Sequence, residues 1–420
     1  MSEKVLILGG GGREHALAQA LEAAGAEVYG LPGNAGFARG LPAEADRVAQ
    51  LRRILRQTRF DFVVLGSEQP AADGETDLVR NEFPDVFVVG PSQAAARLES
   101  SKAFAKRLMQ KYGVPTAGYD EFTDPGEAEK HIRRRFAAGA PKMVVKADGL
   151  AAGKGVVVAA DPDEAAAAAR AMLDGTLFGD AGKTVVVEEF LDGVEASVFI
   201  LSDGRDYLLL PSATDYKRRF DGDAGPNTGG MGAVSPSPHL NDKLLTIIKD
   251  RVVAPTIAAI RAEKLEYPGF LFFGLMLCAG APFVLEYNVR LGDPETQAVL
   301  PRIVSPSLLD VFKALRDGRL GEVELKVSPK TAVTVVCVGA GYPGQHATGE
   351  IVAGLENVEA PVFLAGARRD PNGQIRTAGG RVLAVTGLGD DLPSARNAAY
   401  QAVAGVCFES IDFRRDIGTF

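Results

Sequence analysis

The chain has 420 residues, 46% hydrophobic and 24% charged, with a formal net charge of −8. That length exceeds one ordinary core and predicts about two to four domains. The acidic balance argues against a nucleic-acid partner, yet it admits phosphorylated small substrates, which need only a local cluster of Lys, Arg and backbone N–H groups.

Cys278, Cys337 and Cys407 are widely spaced and form no metal or disulfide pattern. Each sits in an apolar run, so each is expected to be a buried thiol in a reducing cytoplasm. Met1 to Lys4 leads straight into an apolar run with no signal-peptide pattern. No apolar run reaches the roughly 18 residues of a membrane span.

In chain order, VLIL (5–8) reads as a buried strand and EHALAQALEAAG (14–25) as a helix closed by Gly25. EVYG, a helical RVAQLRRILRQ, DFVVLG (61–66) and VFVVG (86–90) continue the alternation. Strand and helix at this spacing predict a parallel sheet with crossover helices. Between the first strand and helix lies Gly9–Gly12, followed by Arg13, Glu14 and His15. Glycines at a helix N-terminus suit a phosphate or substrate loop. A structural tight turn and a dinucleotide loop are the alternatives. Against the last, His15 stands where the third glycine belongs, and no acidic residue ends the second strand.

Residues 101–115 read as a helix with Ser101 as N-cap and a stop at Gly113 and Pro115. Apolar strands follow at 142–149, 155–160, 184–190 and 196–204, with an alanine-rich helix around 165–169. Lys146 to Gly155 (KADGLAAGKG) links two of these strands. It lacks the Walker A pattern, because Asp148 and Gly155 stand at its required positions. It reads instead as a flexible flap carrying Lys154, with Lys146 ending the strand before it. Glu188 and Glu189 end a strand whose backbone could meet a base edge and whose carboxylate could meet a ribose; solvated acids are the alternative. Asp215 to Arg219 (DYKRR) precedes the glycine-rich 225–232, which together suggest an anion-binding loop.

One long helix is expected over 241–263. Strands 270–280 and 282–290 then form a hairpin through a Gly-Ala-Pro turn. Period two places Glu286, Asn288 and Arg290 on one face of the second strand, with Tyr287 and Val289 on the other. Such polar groups on a largely buried strand need partners. Oxygen donors from Glu286 and Asn288 suit Mg²⁺, which takes phosphates and waters for its remaining positions. An internal Glu286–Arg290 salt bridge is the alternative. Beyond about 328, TAVTVVCVGAGYPG, GGRVLAVTGLG and a helix at 391–406 predict a small α+β unit.

GGREHAL (11–17), PGNAG (32–36), KADGLAAGKGV (146–156), EEFLDG (188–193), GPNTGGMGA (225–233), GDPETQ (292–297), GGRV (379–382) and RRDIG (414–418) run along the whole chain. In that order they resemble the ATP-grasp ligases, and within them the phosphoribosylamine–glycine ligase family. The resemblance implies an α/β and α+β multidomain fold. It places a parallel-sheet pre-ATP-grasp domain at 1–101 and a two-lobed ATP-grasp domain at 102–327, with its lid lobe at about 115–190. A small α+β domain follows at 328–420. It further implies ATP-dependent joining of glycine to 5-phosphoribosylamine through a glycyl phosphate, in de novo purine synthesis, by a cytoplasmic monomer or homodimer.

By the same resemblance, Lys102, Lys146 and Lys154, with Gly153 and Gly155, meet the ATP phosphates. Glu188 and Leu191, beside Glu189, hold the adenine, and Glu195 holds the ribose. Glu286 and Asn288 bind Mg²⁺ or Mn²⁺. Gly10, Gly11, Gly12, Asn34 and Glu68 face phosphoribosylamine. Asp215, Lys217, Arg290, Gly292, Asp293 and Pro294 lie where the family places glycine and the transferred phosphate. The catalytic set is Arg290, Lys217, Asp215 and Lys154.

The chain departs from the family pattern at three places. Gly66–Ala71 reads GSEQPA where G-P-E-x-P-L is usual, Ser100 replaces a glycine, and Tyr216 replaces the histidine of D-H-K-R. The altered loop, 66–77, lies toward the amine side. It motivates two rivals: a related ligase with a different amine or amino acid, and a protein that binds ATP or purine intermediates without turnover.

Overall fold

A computed structural model describes residues 2–151, 155–175 and 182–420. Strands Lys4–Gly9, Glu27–Pro32, Phe62–Leu65 and Phe87–Val89 form the expected all-parallel sheet, with the first strand paired to the second and third. Both of its faces are covered. Val5 and Ile7 enter one core cluster, Leu6 and Leu8 another, which is the alternation of a strand buried on both sides.

Helix Lys102–Tyr112 starts and stops where the residues direct. Ser101 Oγ accepts from Phe104 N at 3.1 Å, and Gly113 ends the helix at φ 70°. Strands Tyr119–Phe122, Met143–Ala147, Val156–Ala159 and Val185–Glu189 build an antiparallel sheet backed by helices Pro125–Ala137 and Pro162–Leu173. Facing it is a second antiparallel sheet, in the order Tyr207–Leu209, Val194–Ser202, Gly269–Cys278, Ala281–Asn288.

Three expectations need adjustment. The 241–263 helix is one run whose middle turn, Lys249–Val253, is π-helical. Pro255 lacks an N–H and its ring would crowd the Arg251 carbonyl, so a wider turn there relieves the conflict. The hairpin turns at Ala279 (φ 47°) and Gly280 (φ 80°), leaving Ala281 and Pro282 in the edge strand, where a missing donor is tolerated. The strand ends at Asn288, so Arg290 lies just beyond it.

The last sheet contains Thr331–Gly339, Arg381–Gly389, Val362–Leu364 and Ile411–Asp412, packed on helix Leu392–Val403. It also takes Thr214–Asp215 and Gly232–Ser235 from far upstream. The glycine-rich 216–231 stretch is thus anchored at both ends in a sheet completed by later residues. Cys337 is buried and Cys278 partly so, but Cys407 is exposed, against expectation. Its backbone bridges to Ala353 while Val406 and Phe408 turn inward, so alternation points Cys407 out. Among the described residues no helix is long and apolar enough to cross a membrane.

Candidate active site

A cleft opens between the two antiparallel sheets, with about 770 Å³ of atom-free space, open solvent included. Lys102 and Lys106 line it from one helix, Ala151 and Gly155 from the flap, Glu286 and Asn288 from the edge strand, and Arg290 from just beyond that strand. The flap tip, with the expected Gly153 and Lys154, lies outside the described residues.

Period two holds on the edge strand. Tyr287 and Val289 are buried in the core behind the sheet, while Glu286 and Asn288 turn to the cleft. Burial pushes the Glu286 carboxyl up, but Lys217, Lys146, Lys102 and Arg290 together hold it below the usual carboxylate range. Four cations therefore act on one half-buried carboxylate. Burial lowers Lys102, whose ammonium donates to Gly149 O at 3.1 Å.

Arg290 pairs with carboxylates from elsewhere, and not with Glu286. Its guanidinium donates to Glu99 Oε1 at 2.7 Å, Asn288 Oδ1 at 2.9 Å and Glu68 Oε2 at 3.2 Å. Burial opposes its charge, yet Glu99 and Glu68 hold it above its ordinary value. Burial pushes the Glu99 carboxyl up to about 7 against the pull of Arg290, with Glu68 adding to the rise. Burial also works against Glu68, but Arg290 and Arg13 hold it below the usual range.

At the other end of the cleft, Glu188 lies between two lysines. Its oxygens are 2.9 Å from Lys106 Nζ and 2.9 Å from Lys146 Nζ, and all three side chains are buried. Lys106 also donates to Thr116 Oγ1 at 2.7 Å, and burial lowers it to about 8. Glu189 accepts from Gly118 N at 2.8 Å, Leu191 lies half-buried just past the strand, and Glu195 is paired with Lys217. Lys217 is held well above its ordinary value: burial opposes the charge, and Asp215, Glu195 and Glu286 outweigh it. Burial raises Asp215 despite Lys217.

The glycine-rich motifs meet on the far side of Arg290. Gly10 packs so closely on Gly33 that a Cβ there would lie 2.4 Å from the Gly33 carbonyl oxygen. Asn34 Nδ2 donates to Gly10 O at 3.0 Å, Gly11 O at 3.1 Å and Leu364 O at 2.7 Å. The Gly11 N–H is taken by Glu14 Oε2 at 2.6 Å, so the helix beginning at Gly12 caps its own N-terminus. Asp293 faces Gly11 and is held low despite burial by Arg381 and Arg13. Arg381 pairs with Asp293 Oδ2 at 3.0 Å and donates to its carbonyl at 2.7 Å. Gly230, at φ 109°, presses on Pro294, where a Cβ would come within 2.4 Å. Gly292 lies against the Glu295 carboxylate, which burial and the nearby Asp215 push up to about 7.

These contacts bring the motifs of residues 9–12, 32–36, 225–233, 292–297 and 379–382 to one place. Three consecutive descriptions of phosphoribosylglycinamide synthetase match the chain: its N domain over 3–99, its ATP-grasp (A) domain over 100–296 and its C domain over 332–420. The chain belongs to the phosphoribosylglycinamide synthetase family. The phosphoribosylamine–glycine ligase of Allochromatium vinosum is 46% identical over 99% of this chain and 98% of its own length. That of Pseudomonas aeruginosa is 44% identical over 99% and 97%. The crystal structure of the Thermotoga maritima phosphoribosylamine–glycine ligase aligns with a TM-score of 0.84 at 36% identity, covering 99% of this chain and 100% of that one. A biotin carboxylase from Campylobacter jejuni, a β-γ-ATP complex, shares the fold at a TM-score of 0.72 and 15% identity, over 98% and 93% of the two chains.

The ATP-grasp fold carries ATP and a divalent metal ion as a class. Glu286 and Asn288 suit a metal by chemistry, since both line the cleft with oxygen-bearing side chains and nearby cations hold the Glu286 carboxyl below the usual range, while Asn288 Oδ1 also accepts from Arg290 at 2.9 Å. Among the described residues no three or more His, Cys, Asp or Glu side chains cluster to cage a metal alone. An ion held by this pair would take its other ligands from phosphates and water, which is the habit of Mg²⁺.

Sequence reasoning missed Lys106, Glu99, Glu295 and Arg381. Lys106 was within reach, being four residues from Lys102 on one helix face. Glu295 and Arg381 lie inside quoted motifs. Glu99 had no local signal, because its partners come from residues 289 and 290.

Proposed function

We propose that this chain joins glycine to 5-phosphoribosylamine with ATP, giving glycinamide ribonucleotide, ADP and phosphate in de novo purine synthesis. One observation carries the reading: Glu286 lines the cleft beside Lys102 and Arg290, and the charges of Lys217, Lys146, Lys102 and Arg290 together hold its carboxyl low. Charge of both signs, buried and ordered before substrate arrives, is what phosphoryl transfer demands of a protein.

ATP lies in the cleft, its nucleoside toward Glu188, Glu189, Leu191 and Glu195. Its phosphates lie toward Lys102, Lys146 and the flap with Gly153, Lys154 and Gly155. Mg²⁺ or Mn²⁺ held by Glu286 and Asn288 supplies charge neutralisation at the phosphates. Arg290 and Lys217, with Asp215 and Gly292 to Pro294, orient glycine so that its carboxylate attacks the γ-phosphate. Closure of the flap keeps water from the resulting acyl phosphate. Phosphoribosylamine lies toward Gly10–Gly12, Asn34 and Glu68, and its amine attacks the acyl carbon and expels phosphate. Glu68 reaches Arg290 despite the changed 66–71 stretch, so the two substrate sides meet at one guanidinium.

The test is ADP release with glycine, with and without phosphoribosylamine, against a panel of other acids and amines. Strict dependence on both substrates is expected. ADP release with another pair, and none with this one, would overturn the assignment.

A further inference from the structure

The short strand bearing Asp215 has a second face. Lys217 pairs with Glu195, and Asp215 and Lys217 share the electrostatic neighbourhood of Glu286, while Tyr216 between them is packed away from solvent, 8% exposed. The Tyr216 hydroxyl accepts from Gly418 N at 3.0 Å and donates to Thr419 O at 3.2 Å. Its ring lies under the Arg414 guanidinium at 5.1 Å and beside Phe420 at 5.8 Å.

Residues 414–420 form a strap fixed on two sides. Toward helix Leu392–Val403, the Tyr400 hydroxyl donates to Arg414 O at 2.7 Å and accepts from Ile417 N at 3.1 Å, while Arg396 Nε donates to Ile417 O at 3.1 Å. Toward the substrate loop, buried Arg414 donates to Arg218 O at 3.0 Å and pairs with Asp223 and Asp416. Asp416 in turn accepts from Gly222 N at 2.8 Å, and Arg415 N donates to Asp221 Oδ1 at 2.7 Å.

We propose that this strap is a positioning element for the glycine side of the site, acting through Tyr216 on the backbone that aims Asp215 and Lys217. Strand Thr214–Asp215 is only two residues long and pairs on one edge with Gly232–Ser235. Two Tyr216 backbone bonds, to Gly232 O at 3.0 Å and from Met231 N at 2.7 Å, extend that pairing by one residue. The Lys217 ammonium is held by Glu195, a side-chain contact that follows wherever the backbone puts it. The Lys217 carbonyl accepts from Thr228 N at 2.8 Å and Thr228 Oγ1 at 2.9 Å within the loop, and the hydroxyl bonds to Gly418 and Thr419, beside the Arg414 bond to Arg218 O, tie this segment to the helix behind it. No residue of 414–420 lines the cleft, so the strap acts on substrate through Tyr216 and the loop, and Tyr216 is a positioning residue. The inference rests on the assignment of Asp215 and Lys217 to glycine.

Three proteins test it: Tyr216→Phe, which removes only the hydroxyl; a chain ended after Ile417, which removes its partners; and Lys217→Met. Glycine kinetics, the Kd of a non-hydrolysable ATP analogue and the melting midpoint are measured on each. Losing one or two hydrogen bonds that aim a reacting side chain predicts a fall of about 5- to 30-fold in kcat/KM for glycine in the first two. The analogue Kd should stay within about twofold, and Lys217→Met should lose more than either. If Lys217→Met is crippled while Tyr216→Phe keeps native glycine kinetics, the strap does not position the site. An equal loss of glycine use and analogue binding also overturns it, because a general structural defect would do the same. Native glycine kinetics in Lys217→Met would instead remove the assignment beneath it. Tyr216→Phe decides the matter alone if the shortened chain does not fold.

Discussion

Arg290→Met separates the two jobs of this guanidinium. Methionine replaces much of the stem but leaves Glu68 and Glu99 without their cation, and Glu99 is 9% exposed. Removing one partner of a buried ion pair costs about 3–5 kcal/mol. Unfolding entropy of about 2.1 cal/mol/K per residue scales, for 420 residues, to roughly 0.9 kcal/mol/K. The midpoint should therefore fall by about 3–6 °C. The loss should depend on pH, with a definite sign. The Glu99 carboxyl stands at about 7 in the folded protein against an ordinary 4.5. Between those values the folded chain holds a proton that the unfolded chain has released, so this group's contribution to stability falls as pH rises through the window. Without Arg290 the upper edge of the window moves higher. The variant's deficit should thus be smallest near pH 5 and grow toward pH 8. Arg290→Met with Glu99→Gln removes both charges, and the amide oxygen can still accept from Val289 N. That pair should recover about 2 kcal/mol relative to additivity. Scanning calorimetry of the four proteins at pH 5, 6.5 and 8 closes the cycle. A deficit independent of pH, or strictly additive losses, would refute Glu99 as the orphaned charge.

Three further outcomes are expected. Glu286→Ala should abolish ADP release even at saturating Mg²⁺, and a near-normal rate there would remove Glu286 from the metal site. Lys154→Ala should raise the KM for ATP at least tenfold with little change in melting midpoint; an equal loss of stability would make the flap lysine structural. His15 is neutral and structural: burial lowers it to about 4 against the pull of the Gly36 backbone bond, and its Nδ1 accepts from Leu364 N at 2.8 Å. Its stabilising contribution is present above pH 6.5 and lost as pH falls toward 4. Its imidazole resonances should stay flat from pH 8 to 5, and titration near 6.5 would contradict the burial.

What period and capping govern was legible. The parallel sheet, the Ser101 cap and the shared face of Glu286 and Asn288 follow from residues close in sequence, whose geometry is set by their own backbone. What depends on a distant partner was not. Arg290 lies 222 residues from Glu68 and 191 from Glu99, so the strand pattern could say which way it faced but not what it would meet. The same limit hid the Lys106–Glu188–Lys146 cluster and the upstream strands that complete the last sheet. Cys407 shows the converse, for a two-residue alternation outweighed an apolar neighbourhood.

The charge balance of the cleft explains why an acidic chain can host a triphosphate. Lys102, Lys106, Lys146, Lys217 and Arg290 face Glu68, Glu99, Glu188, Glu195, Asp215 and Glu286. Lys106, Lys146, Lys217 and Arg290 are already ion-paired with carboxylates, and Lys102, bonded to Gly149 O, feels the charge of Glu286. Burying bare cations would cost several kcal/mol each, so the site that is to receive phosphate is assembled with internal counter-charges. A triphosphate entering such a site meets no large surplus of positive charge. Its binding then calls for added cations, such as the divalent ion that the proposed function assigns to Glu286 and Asn288. On this argument, metal dependence of nucleotide binding should exceed that expected for a cleft of free lysines. It should weaken when Glu188→Gln releases Lys106 and Lys146, and the analogue Kd with and without Mg²⁺ measures both effects. Equal metal dependence in the native and Glu188→Gln proteins would show that the carboxylates do not set the requirement.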